Sequence, residues 1–216
     1  MHKGRLNVKG FWSKAVLAAM LALPATAHAQ IYGQFTGAET VPTGGHVFGA
    51  YVHASEDLFG LVSQLRLSFY PNVDFGFQGG LNRIEVAGDD QTTLRVGGDL
   101  KFLILKGNLL DLGAGGALGV ETGDGFSVLT LGPSVVVSKN FALGSGAGII
   151  PYASMGMFFS NENLGDNQSS DFSIPFRFGS EFKLSPEIKL VAEIQLRAGD
   201  EINDYFSFVT GVNLPF

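Results

Sequence analysis

The chain has 216 residues, no cysteine, 14 basic against 20 acidic side chains, and a formal net charge of −6. If exported, such a chain holds together without disulfides, and its acidity disfavours nucleic acid as a partner. Hydrophobic residues make up 45% of it and glycine fills 30 positions, yet beyond residue 29 no apolar run reaches the ~20 residues of a spanning helix, which excludes a helical membrane protein.

In chain order the first element is a secretory signal peptide, predicted over residues 1–29. Lys3, Arg5, Lys9 and Lys14 form its basic region, Ala15 to Leu23 its apolar region, and Ala27-His28-Ala29 the small-x-small cleavage site before Gln30. Its removal takes four basic charges away and shifts the formal charge from −6 to −10. Residues 30–45 carry the turn-forming run Ala38-Glu39-Thr40-Val41-Pro42-Thr43-Gly44-Gly45. They read as an N-terminal leader that closes the periplasmic mouth or enters the lumen, with an unordered terminus as the alternative.

From residue 46 to 216 apolar residues alternate with small or polar ones over stretches of about ten, the period of a β-strand. Ten strands are predicted, at 46–54, 61–70, 73–87, 91–105, 109–121, 126–138, 142–160, 171–184, 188–198 and 204–216; eight or twelve are the alternatives. Short turns are expected at Pro71-Asn72, Lys106-Gly107-Asn108, Lys139-Asn140 and Ser185-Pro186-Glu187. The other connections read as longer and acidic, the longest being Asn161 to Ser170. Short turns on one side and long loops on the other, with an even strand count, predict an all-β, transmembrane, antiparallel up-and-down barrel in the cell outer membrane, in contact with its lipid and lipopolysaccharide.

Each strand offers one face to lipid. In the fourth, Leu94, Val96, Gly98, Leu100, Phe102 and Ile104 point outward, against Thr93, Arg95, Gly97, Asp99 and Lys101 inward. The last strand has Phe206, Phe208, Thr210, Val212, Leu214 and Phe216 on its outward face. A soluble barrel would bury these apolar residues and solvate the charges, and alternation alone does not separate the two. Strand length, strand parity and the aromatic terminus favour the membrane. Phe206 to Phe216 resembles the terminal targeting strand of bacterial outer-membrane proteins. That resemblance implies that Val212, Leu214 and Phe216 are read by the barrel-assembly machinery; Pro215 departs from the commonest pattern. It carries no activity with it.

Inward positions collect both signs of charge. Arg66, Arg95, Lys101, Arg177, Lys183, Lys189 and Arg197 face Asp74, Asp99, Asp111, Glu121, Glu181 and Glu193, which predicts a near-neutral paired network filling a narrow lumen rather than an open pore. The outer connections hold Glu56, Asp57, Asp89, Asp90, Asp124, Glu162, Asp166, Asp171, Asp200, Glu201 and Asp204 with no Lys or Arg. Asp89, Asp90, Glu162, Asp166 and Asp171 are the candidates there for a divalent cation, although no loop has calcium-motif spacing. No cofactor is expected otherwise.

Past the signal peptide the only histidines are His46 and His53. His53, near Ser55, Glu56 and Asp57, reads as a rim residue without an evident catalytic partner. The omptin proteases resemble this chain in strand number, but their acid pairs and Asp-His pair are not recognisable here. Gly113, Gly115, Gly116 and Gly119 lack the strand-to-helix context of a phosphate loop and read as room for bending or close approach. Tyr32, Tyr51, Tyr70, Tyr152 and Tyr205 are the expected interface anchors. The sequence thus predicts an outer-membrane barrel with a structural or surface-interaction role; the alternatives are a narrow channel and a surface enzyme.

Overall fold

The computed structural model describes residues 33–55, 58–86, 89–144, 146–164, 167–199 and 205–216. The predicted signal peptide, Tyr32 and the acids Glu56, Asp57, Asp166, Asp200, Glu201 and Asp204 lie outside the described residues. Twelve ladder segments follow one another: β1 (His46–Ser55), β2 (Leu58–Tyr70), β3 (Val73–Val86), β4 (Asp89–Lys106), β5 (Asp111–Gly123), β6 (Phe126–Ser138), β7 (Phe141–Gly144), β8 (Ala147–Gly156), β9 (Phe158–Leu164), β10 (Asn167–Ser185), β11 (Ile188–Gly199) and β12 (Tyr205–Pro215). All pairings are antiparallel, and β12 pairs with β1 from Val47↔Pro215 to Ser55↔Ser207, which closes the sheet into a barrel.

The wall has ten strands because four of the segments are halves of two. β8 and β9 keep one register against β10, from Lys183↔Gly148 through Ser173↔Phe158 to Asn167↔Leu164. β6 and β7 likewise keep one register against β8. Proline makes both interruptions. Lys139 N–H donates to the Pro151 carbonyl at 3.2 Å and Met157 N–H to the Pro133 carbonyl at 3.0 Å, but neither proline has an amide to return the bond.

This corrects the predicted turn at Lys139-Asn140, where the chain runs straight on and reverses instead around Gly144 (φ 88°) and Gly146 (φ 84°). The turn at Pro71-Asn72 is as expected, with Asn72 at φ 62°, a conformation that asparagine tolerates. The predicted contrast between short turns and long loops is not found. At the end expected to carry long loops, two residues separate β1 from β2, β3 from β4, β5 from β6 and β9 from β10, and only 200–204, between β11 and β12, is longer. Asp124-Gly125, with Gly125 at φ 64°, is a two-residue hairpin turn. The expected loop from Asn161 to Ser170 is mostly ladder, paired from Asn161↔Ser170 to Leu164↔Asn167. There the outward side chains Asn161, Gln168 and Ser170 bond one another at 3.1–3.2 Å. Strands that extend past the apolar band lose their apolar face but keep pairing, so alternation of hydropathy stops before the strand does.

Side-chain direction follows the sequence period. Leu94, Val96, Phe102, Ile104, Phe178, Phe206 and Phe208 are exposed on the outer wall, while Arg66, Arg95, Lys101, Arg177, Glu181 and Glu193 are buried inside it. Tyr51 and Tyr152 belong to the inner set, which corrects their expected role as interface anchors: their hydroxyls sit at inward positions and find polar partners there. Tyr70 stays on the outer wall, exposed.

Candidate functional site in the lumen

Residues 33–45 do not pair in the wall; they run inside the barrel and leave at the end that carries His46 and Phe216. Around Gly33, Gln64 Nε2 and Gln78 Nε2 donate to its carbonyl at 3.3 and 2.6 Å. Phe35, at φ 50°, turns its ring onto Tyr51 with centroids 4.2 Å apart, and its carbonyl accepts from Asn213 Nδ2 at 3.1 Å. Further along, the Thr36 hydroxyl and Gly37 N–H both donate to Glu181 Oε1 at 2.8 Å. Ala38 N–H donates to Ser138 Oγ at 2.8 Å, and Val41 N–H to Asp74 Oδ2 at 3.0 Å. Lys101 Nζ donates to the carbonyls of Gly37 and Glu39 at 2.9 and 2.8 Å. Gly44 N–H donates to Ser68 O at 2.7 Å, which ties the leader to the mouth.

Those partners stand on β1, β2, β3, β4, β6, β10 and β12, so the leader is fastened to opposite walls at once. Its bed is made of glycines. A Cβ on Gly113 would lie 3.2 Å from Ala38 O, and one on Gly115 3.1 Å from Gln34 Nε2. Their use is close approach: the leader and the wall crowd Gly113 alike, and at Gly115 the nearest neighbour of the added Cβ is the β4 backbone, at the Leu100 carbonyl.

The charged residues predicted for the lumen are inward, grouped in three tiers. Nearest the leader, Arg66 bridges Asp74 and, at 2.8 Å, Asp99, while Lys101 lies 3.6 Å from Asp74. Glu181 also receives Lys189 at 3.0 Å. At mid-height Glu193 accepts from Tyr152 at 2.7 Å and from Gln195 at 2.6 Å, and the Tyr51 hydroxyl donates to Asn213. Further from the leader Glu121 accepts from Asn82 at 2.8 Å and Thr93 at 2.5 Å, next to Arg95 in register, and Arg197 lies 3.6 Å from Asp171. Asp111 does not join the network; it accepts from the amide of Gly107 in the turn below it at 3.1 Å. Lys183 stands opposite another cation, Lys189. Such groups survive out of bulk water because they are paired and hydrogen-bonded; removing one partner of a buried pair costs about 3–5 kcal/mol.

His53 is inside the lumen, 2% exposed, which corrects its reading as a rim residue. His46 stacks on Phe216 with centroids 5.4 Å apart. Among the described residues the cation candidates are not brought together. Asp89 and Asp90 lie on β4 rather than a loop, and Asp90 pairs with Arg83, which also corrects the view of that end as free of basic partners. Glu162 is buried in the lumen and Asp171 faces Arg197. Among the described residues no group of three or more His, Asp or Glu could hold a metal ion.

No protein-family model matches the chain, and neither does any curated protein. Among solved structures, the β domain of the Bordetella autotransporter BrkA aligns at a TM-score of 0.55 and 14% identity, over 81% of this chain and all 100% of that one. An outer-membrane channel from Pseudomonas putida F1 aligns at 0.49 and 12% identity, over 87% and 100%. The N-terminal β-barrel domain of Pseudomonas aeruginosa OprF aligns at 0.41 and 13%, over 81% and 98%. The first of these likenesses shows the fold alone. Together with the apolar outer wall and the charged interior, it defines the class: a closed ten-stranded antiparallel barrel of the bacterial outer-membrane type.

Proposed function

We propose that the protein is an integral outer-membrane barrel held closed by its own N-terminal leader, with a structural or surface-interaction role. The observation that carries this reading is the leader's path: residues 33–41 cross the lumen and bond to strands on opposite walls. The inward charges support it, since Arg95 and Lys101 are 1% exposed and Glu181 2%, whereas a water-filled pore leaves its lining accessible. The end with His46 and Phe216 then faces the periplasm, and Val212, Leu214 and Phe216 form the strand read by the barrel-assembly machinery. Phe216 is suited to that role, at the closing seam with 73% exposure.

The test is conductance of the refolded protein, from Gln30 onward, in a planar bilayer, beside a variant lacking residues 30–45. The intact protein is expected to give no discrete steps, and steps from it would overturn the closed reading. A second reading, a narrow solute channel gated by the leader, is favoured by a cavity of about 490 Å³ beside the leader at the mouth; steps from the truncated form alone would support it.

A further inference from the structure

The same cavity suggests a ligand. It lies between the leader and the inner wall of β10, β11, β12 and β1, and reaches the turn containing Pro186. Its volume, about 490 Å³, falls within the range of small-molecule sites. Much of its lining is apolar, from Val41, Pro42, Val47, Ile150 and Pro215. Its charged lining sets three cations, Arg66, Lys183 and Lys189, against two carboxylates, Glu39 and Glu181. Lys183 and Lys189 line it directly opposite each other on β10 and β11, an arrangement that is unfavourable by itself because like charges at paired positions repel. Both carboxylates are already engaged: Glu181 takes Thr36, Gly37 and Lys189, and Glu39 pairs with Lys106 at 2.8 Å. Lys183 makes no hydrogen bond or ion pair with any described residue, and it is only half-exposed. A negative ligand group between the two ammonium groups would relieve their repulsion while an apolar body filled the rest.

We propose that this cavity binds a small soluble organic acid, a carboxylate on a short apolar chain, taken from the aqueous side of the mouth. The lining is leader and inward wall residues, joined by Pro186 at the turn and Phe216 at the seam, so the cavity is reached through the mouth. The site needs the leader in place but makes no demand on conduction, so pores recorded from the intact protein would leave it standing.

Hexanoate is a suitable probe, titrated by calorimetry into the protein in discs of zwitterionic lipid, with hexanamide as the uncharged isostere. Saturable hexanoate binding with a dissociation constant on the order of millimolar is expected for so few atoms, with none for hexanamide. Lys183→Gln should weaken binding by about tenfold, the loss of one charge-assisted contact, and Lys183→Arg should retain it. Heat-modifiable mobility on gels verifies that each variant is folded. Equal binding of hexanamide, or hexanoate affinity unchanged in folded Lys183→Gln, would overturn the proposal.

Discussion

Glu181 is the anion on which the leader hangs, because one carboxylate meets a hydroxyl, a backbone amide and an ammonium group at 2.8–3.0 Å. Hydrogen bonds to a charged acceptor are stronger than neutral ones, each worth about 1.5–3 kcal/mol. Glu181→Gln keeps the shape and removes the charge. We expect exchange of the Gly37 amide to accelerate by about tenfold or more, measured by hydrogen exchange on the folded protein, with the wall amides of β10 unchanged. Unaltered protection of Gly37 would mean that Lys101 and Ser138 hold the leader without help. The glycines opposite act by what they lack, since a side chain at 113 would crowd Ala38, and one at 115 would strike the Leu100 carbonyl before it met Gln34.

Within the wall, Pro133 and Pro151 each remove one donor from a ladder that otherwise runs unbroken. Proline in a paired strand leaves the opposing carbonyl unmatched, and here the facing carbonyls belong to Met157 and Lys139. Pro151→Ala should restore a bond from the amide of residue 151 to Lys139 and join β6 to β7. The expected sign is a new slowly exchanging amide at position 151, with stability changing by no more than about 1 kcal/mol, because the added bond is offset by the freedom the unfolded chain regains. A fast-exchanging amide at 151 would show that the interruption has another cause.

For the whole molecule the question is which solvent the outer wall meets. Val96 is 50% exposed on β4 among other apolar residues, while Arg95 beside it is 1% exposed inside. In a bilayer, Val96→Arg places a charge near mid-height and should cost about 2–4 kcal/mol, read as a lower denaturant midpoint for the barrel refolded into vesicles. A water-soluble barrel would lose no more than about 0.5 kcal/mol at such an exposed position. An insensitive midpoint would therefore sink the membrane reading, while a large loss would agree with the inverted arrangement of apolar outside and paired charge within.

Period-two alternation fixed most of this in the sequence itself: ten wall strands, which face of β4 or β12 points outward, and the inward position of charges such as Arg66, Lys101 and Glu181. Strand direction is local physics, because successive side chains point to opposite faces whatever the chain pairs with. The Asp124-Gly125 turn was also legible, as a two-residue hairpin signal, and was masked by reading acidity as loop. The rest depended on partners distant in sequence. Lys139-Asn140 resembles a turn until Pro151 is known to face it, and Asn161 to Ser170 resembles a loop until its polar side chains are seen to pair beyond the apolar band. Glu181 meets Gly37, 144 residues away, and no pattern around Gly37 announces it. Only the closed barrel decides that a turn-rich leader lies on the Gly113 and Gly115 bed, since an irregular segment has unspent backbone donors and the lumen is where buried carboxylates can accept them.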